Sequence, residues 1–332
     1  MKLIAETAMH HQGDFNYMIK MLDAIVNKCN CDYVKVHMLL DLDEYFVNDH
    51  AGYETTKNWM FNNDQWKEII TKIKDAGKKP MMLFNDRKAI DFGMKYSPEL
   101  VEIHSVALND TQLLSHLKSS VNKDTKIVLG VGGCTLYEIE KAVNFLDHSN
   151  TVLMFGFQNY PTQYKDVNFN KVKKIMSLFP GFEFGYADHT AWNHPQNILI
   201  TLFGAAQGMQ YVEKHVAIEH GVERADWSAT ISIDMFNDLE EKLTILAECN
   251  GNGNIELNEG EKKYSVYGPM KKAAVLNKAL KEGDIFSTKD ISFKRTKQET
   301  DISQIEIDKF NGVKMAQDLE KDTAVKSGHF SK

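Results

Sequence analysis

Short apolar runs recur along the chain, and each is followed by a stretch in which apolar side chains return every three or four residues. The runs are KLIAET from Lys2, YVKVHML from Tyr33, KPMMLFN from Lys79, LVEIHSV from Leu100, KIVLGV from Lys126, TVLMFGF from Thr151, FEFGYAD from Phe182 and MQYVEKHV from Met209. Between them the periodicity predicts helices such as Asp14 to Asn30, Asp64 to Ala76, Leu136 to Leu146 and Pro195 to Gln207. Strands joined through one helix each run parallel, because the crossover returns the chain to the same edge. Eight such units over residues 1–250 predict a closed (β/α)8 TIM barrel. An open doubly wound sheet is the structural alternative. It would carry a G-x-G-x-x-G turn after the first strand, and AETAMHHQG is no such turn.

After Cys249 the segment NGNGNIELNEGEKK has no apolar periodicity and reads as a linker over residues 251–263. Residues 264–332 hold short β-like pieces and the turn LKEGD from Leu280 to Asp284, a small β-rich domain whose core is expected to be marginal alone.

The 332 residues are 43% hydrophobic and 26% charged, as in ordinary globular chains. A net charge of −7 and the lack of any Lys/Arg block argue against nucleic acid as a partner. No run reaches the roughly 18 apolar residues of a membrane span, and MKLIAETAMHHQGD lacks a signal peptide's apolar core, so a cytoplasmic location is expected. The four cysteines match no common zinc spacing and read as reduced thiols.

Catalytic groups of a TIM barrel gather at the C-terminal ends of the strands. There the chain places Glu6 and His10-His11 after strand 1, Lys35 and His37 on strand 2, and Glu102, His104 and Ser105 on strand 4. Gln158-Asn159-Tyr160 follow strand 6, Asp188 and His189 end strand 7, and Glu213, Lys214 and His215 lie on strand 8. Strands 7, 8 and 1 become neighbours on closure, so His189, His215 and Glu6 can converge. Two imidazoles suit a divalent metal with open positions for substrate oxygen, whereas a single strand-end histidine is more often a core residue. Lys35 reads equally as an anion contact or as the partner of a carboxylate such as Glu6. The long connection from Asp41 to Asn63, with Tyr45, Phe46, Tyr53, Trp59 and Phe61, reads as a binding lid.

These residues carry a resemblance to the sialic acid synthase family, which includes legionaminic and pseudaminic acid synthases. The matching pieces are AETAMHHQGDF, DYVKVHM, NYPTQYKDVNFNKV, GYADHT and GAAQGMQYVEKHVAIEHGVERADWSAT, with KKAAVLNKALKEGDIFSTKDISFKR similar to the family's antifreeze-like SAF domain. The resemblance implies condensation of phosphoenolpyruvate with an open-chain amino sugar or related aldose, giving a nonulosonic acid and phosphate. It implies Mn2+ or Mg2+ on His189 and His215, Glu6 at the reacting centre, and Asp226 and Tyr160 as active-site contacts. It further implies Lys35 and Ser105 in the phosphoenolpyruvate pocket, Glu213 in the strand-8 motif, and a domain-swapped homodimer.

Several positions depart from the family pattern. Glu102 stands where the family has a lysine, Gly130 and Ala187 where it has serines, Leu83 for a threonine and Gln158 for an asparagine; Lys271 and Lys272 stand near the place of the SAF arginine. A carboxylate in place of an ammonium turns attraction for a dianion into repulsion unless Glu102 is protonated, paired or turned away. Lys35, His104, Arg87 and the Gly132-Gly133 amides are the candidates for compensation. The altered pocket motivates a second reading, a metal-dependent aldolase, lyase or isomerase on a cell-envelope sugar that does not use phosphoenolpyruvate. A non-enzymatic sugar sensor on the same barrel is a third.

Overall fold

The computed structural model describes residues 1–156 and 159–331, so Gln158 lies outside the described residues. The chain divides into two compact units, Met1–Gly251 and Asn252–Lys332.

In the first unit eight parallel strands alternate with helices: β1 (Lys2–Glu6), α1 (Phe15–Lys28), β2 (Tyr33–Met38), α2 (Leu42–Tyr45), α3 (Tyr53–Trp59), α4 (Asn63–Asp75), β3 (Lys79–Phe84), α5 (Arg87–Gly93), β4 (Leu100–Ile103), α6 (Thr111–Ser120), β5 (Lys126–Gly130), α7 (Leu136–Leu146), β6 (Thr151–Phe155), α8 (Tyr164–Val167), α9 (Phe169–Leu178), β7 (Glu183–Ala187), α10 (Asn197–Ala205) and β8 (Tyr211–Ala217). Each strand pairs with the next, and β1 also pairs with β8, which closes the (β/α)8 barrel. A short strand β9 (Ile231–Ser232) extends β8 at Val216, and α11 (Ile233–Asn250) completes the outer ring.

Local signals set the helix boundaries. Asp14 caps α1 by accepting from the Tyr17 amide, while Asn62 and Thr135 form capping boxes with Gln65 and Glu138 at the starts of α4 and α7. The apolar stripe of α1 (Met18, Met21, Leu22, Ile25) is buried, as are Trp66, Ile69, Ile70 and Ile73 on α4. These side chains join outward-facing strand residues such as Val34, Val36 and Met82 in a core between barrel and helices. Inside the barrel a separate apolar layer of Ile4, Tyr33, Met81, Leu100, Val128 and Val152 closes the lower end. The polar positions above it therefore face upward, toward the C-terminal mouth.

The second unit contains α12 (Glu259–Tyr264) and an antiparallel pair, β10 (Ala273–Leu276) with β11 (Ile291–Lys294). Its own core gathers Leu276, Leu280, Phe286, Ile307, Met315 and Phe330. No helix among the described residues is long and apolar enough to cross a membrane.

Candidate active site at the barrel mouth

A chamber of about 310 Å³ opens at the C-terminal ends of the strands. Its wall includes Glu6, Lys35, Glu102, Ser105, Tyr160, His189, Glu213, His215 and Asp226, so nine of the residues expected from sequence meet in one place. Lys271 and Lys272 are exposed residues of the second unit, immediately before β10.

Strand alternation decides which side chains enter. On β7 and beyond, Ala187 and His189 line the chamber, while Asp188 points outward and is fully buried against α10. There Asp188 accepts from Lys214 Nζ at 2.8 Å, Thr190 Oγ1 at 2.8 Å and Thr201 Oγ1 at 2.9 Å, and Lys214 also donates to Asn197 Oδ1 at 2.9 Å. Burial raises the Asp188 carboxyl, but Lys214 and these hydrogen bonds outweigh it and hold it below its ordinary value. Glu213 and His215 of β8 face inward on either side of outward Lys214. The DHT and EKH triplets therefore combine two inward imidazoles with an ion pair that ties their strands together from behind.

The imidazoles of His189 and His215 lie 4.7 Å apart between ring centroids, nearly perpendicular at 81°. His189 Nδ1 is 2.9 Å from the Ala187 carbonyl oxygen, which sets this nitrogen as the donor and leaves Nε2 as the electron-pair nitrogen. Burial, then the neighbouring His215, pushes its pKa down to about 3, so the ring is neutral as a metal ligand must be. His215 Nε2 lies 3.2 Å from Glu6 Oε2, and its buried Nδ1 has no hydrogen-bond partner among the described residues. A carboxylate on one nitrogen and a buried, unpartnered second nitrogen match the usual support of a metal-bound histidine. The pair thus fits a divalent ion whose other positions go to water and substrate; among the described residues no set of three His, Cys, Asp or Glu side chains is arranged around one ion.

The floor beside this pair is crowded with charge. Lys35 Nζ lies 2.7 Å from Glu102, 2.9 Å from Glu213 and 3.3 Å from Glu6, all buried. Burial lowers the Lys35 pKa, but the three carboxyl groups outweigh it and the ammonium is held above its ordinary value. For Glu6, burial is overcome by Lys35 and His215, with a hydrogen bond from His37, and its carboxyl sits well below the usual range. Glu213 goes the other way: burial and repulsion from Glu6 outweigh Lys35 and hold it well above. Glu102 is likewise raised, chiefly by burial. Neighbouring carboxyl groups pushed in opposite directions are the arrangement that proton transfer requires.

Compensation for Glu102 thus comes from Lys35. Arg87 instead pairs with Glu44 at an exposed site, and Leu83 is buried away from the chamber wall. Gly130 does line the chamber, and a Cβ there would lie 2.8 Å from the Ser105 amide nitrogen, so β4 and β5 approach too closely for a side chain. Asp226, at φ 61°, receives the Met9 amide at 3.1 Å, and its carbonyl accepts from the Tyr160 hydroxyl. The lid contributes Tyr45, Phe46 and Trp59; Phe61 instead packs beneath His11 and Trp66. Gly13, at φ 80°, lets the first loop meet the lid, since a Cβ there would fall 2.2 Å from the Asn58 carbonyl oxygen. Asn85, Thr56 and Met154 also line the wall, but nothing in their sequence surroundings distinguished them.

The fold and the position of the site define a TIM-barrel protein with a polar, two-histidine chamber at the catalytic end. The NeuB family model matches residues 26–255, and the chain belongs to the NeuB family. It is 24% identical over 311 residues to the N,N'-diacetyllegionaminic acid synthase of Campylobacter jejuni, covering 88% of this chain and 90% of that one. It is 23% identical over 347 residues to a pseudaminic acid synthase of Campylobacter jejuni, covering 99% and 96%. Among solved structures, spore coat polysaccharide biosynthesis protein E of Chromobacterium violaceum superposes with TM-score 0.84 at 18% identity, over 100% of both chains. The N-acetylneuraminic acid synthetase of Leptospira borgpetersenii does so with TM-score 0.71 at 20% identity, over 79% of this chain and 88% of that one.

Proposed function

We propose that the protein is a sugar-acid synthase that joins a three-carbon enol donor to the aldehyde carbon of an open-chain amino sugar or related aldose, giving a nonulosonic acid. The observation that carries this reading is the convergence of Glu6, His189 and His215 from the first, seventh and eighth strands. A divalent ion, Mn2+ or Mg2+, held by His189 and His215 would polarise the aldehyde oxygen. Glu6, held well below its ordinary value, takes a proton beside the reacting carbons, while Glu213, held well above, is the group that returns one. Tyr160 and Asp226 close one side of the chamber and orient the sugar, and the lid aromatics shed water from its other face.

Family resemblance makes phosphoenolpyruvate the donor: its enol carbon bonds to the aldehyde carbon, one water adds at the former enol-ether carbon, and inorganic phosphate leaves as the second product. On the same resemblance, the C-terminal unit is an SAF domain, the enzyme is a domain-swapped homodimer, and Lys271 and Lys272 reach the substrate of the other copy. A second reading has its own support in the three carboxyl groups around Lys35. In it the chamber serves a metal-dependent aldolase, lyase or isomerase on a cell-envelope sugar, without phosphoenolpyruvate.

The test is to incubate the manganese-loaded protein with phosphoenolpyruvate and a panel of N-acylated aldoses, following phosphate release and product mass. Phosphate release coupled to a product three carbons longer supports the synthase. Turnover of a sugar without phosphate release supports the second reading, and no turnover of any substrate contradicts both.

A further inference from the structure

Among the described residues lining the chamber there is one ammonium, Lys35, and there are four carboxyl groups, Glu6, Glu102, Glu213 and Asp226. An ammonium has three N–H donors. The three carboxyl groups 2.7, 2.9 and 3.3 Å from Lys35 Nζ can engage all of them. Two of these groups have other work: Glu6 also meets His37 and His215, and Glu213 shares the β8 face with His215. Glu102 differs, because its ion pair among the described residues is with Lys35 alone, at the shortest of the three distances. It reaches Lys35 of β2 from β4, and both side chains line the chamber while being almost wholly buried.

We propose that Glu102 is a specificity-determining residue whose carboxylate fills the anion seat on Lys35, excluding phosphate dianions from the chamber floor and admitting ligands that present an uncharged carbonyl or hydroxyl there. This rests on reading the chamber as the substrate site, and it places any phosphate of a donor away from Lys35. Charge sets the scale: one like charge about 4 Å away, at an effective dielectric of about 20, weakens binding by as much as about a thousandfold. Replacing the carboxylate with an amide of the same shape removes that repulsion and leaves Lys35 a neutral acceptor that a phosphate oxygen can displace.

The experiment is calorimetric titration of inorganic phosphate into the full chain at fixed ionic strength, with and without Mn2+. The proteins are wild type, Lys35→Met, Glu102→Gln, and Glu102→Gln combined with Lys35→Met. Glu102→Gln is expected to bind phosphate at least about tenfold more tightly than wild type, a gain that vanishes when Lys35→Met is added. Equal affinity in wild type and Glu102→Gln, or a gain that survives Lys35→Met, overturns the proposal. If Glu102→Gln does not fold, wild type against Lys35→Met decides: the proposal expects equal, weak affinities, and a tenfold loss in Lys35→Met overturns it. These titrations are independent of turnover, so failure of every candidate reaction would remove the proposed function without deciding the role of Glu102.

Discussion

Glu6 and His215 are register partners where the first barrel strand meets the last, with Oε2 and Nε2 3.2 Å apart. The contact exists only once the barrel has closed. It couples the ionised carboxyl group of the chamber to one of the two candidate metal ligands.

Glu6→Gln keeps the size and hydrogen-bonding reach of the side chain and removes its charge. In the proposed reaction kcat should fall by about 10²–10⁴, the usual contribution of a positioned proton carrier. Steady-state kinetics on the folded variant check this; a kcat within severalfold of wild type would show that Glu6 does not act at the reacting carbons.

Asp188 and Lys214 form a fully buried pair behind the histidines. Removing one partner leaves the other charge buried and uncompensated, so Asp188→Ala or Lys214→Met should each cost about 3–5 kcal/mol. Urea denaturation measures the loss. Calorimetry should show weaker Mn2+ binding by Asp188→Ala, roughly 10–100-fold, because the strand carrying His189 loses its tie. Stability within about 1 kcal/mol of wild type would contradict the structural role.

The buried histidines set a pH dependence. Burial lowers His10, His11, His104 and His189 from their ordinary value, the last three to about 3. A histidine with a lowered folded pKa contributes stability above about pH 6.5 that is lost as the pH falls toward the folded value. Raised Glu102 and Glu213 act in the opposite sense, each releasing its proton at a higher pH in the folded form than in the unfolded chain. Three histidines held near 3 dominate this window, so stability of the metal-free protein should fall as the pH drops from about 6.5 to 5. Denaturant midpoints across that range check the sign; a midpoint that rises on acidification contradicts it.

Gly130→Ser would put a hydroxyl on the chamber wall, but its Cβ meets the Ser105 amide at 2.8 Å. The variant should lose about 1–3 kcal/mol through overpacking and gain no phosphate affinity. Thermal denaturation and phosphate titration together test this, and an unaltered melting temperature would show that β4 and β5 can separate at little cost.

The barrel was legible because each strand run is short, apolar and followed by helical periodicity: KPMMLFN forms β3 (Lys79–Phe84), and the stretch Leu136 to Leu146 is α7. His189 and His215 were legible because strand ends of a closed barrel share one mouth. The covering of Lys35 was only half legible. Glu6 lies beside it in register on adjacent strands, but Glu102 and Glu213 reach it from β4 and β8, and contacts across a barrel leave no spacing in the chain. The outward turn of Asp188 follows from period-two alternation, whereas the close approach at Gly130 depends on two backbones far apart in sequence.

On the proposed reading His189 and His215 hold a catalytic divalent ion beside Glu6. Anomalous diffraction at the manganese edge, from crystals soaked with Mn2+, tests it most directly. One strong peak is expected within coordinating distance of both imidazoles, lost in His215→Ala crystals of unchanged fold. Absence of a peak there at saturating Mn2+, or a peak elsewhere in the chamber that survives His215→Ala, would contradict it.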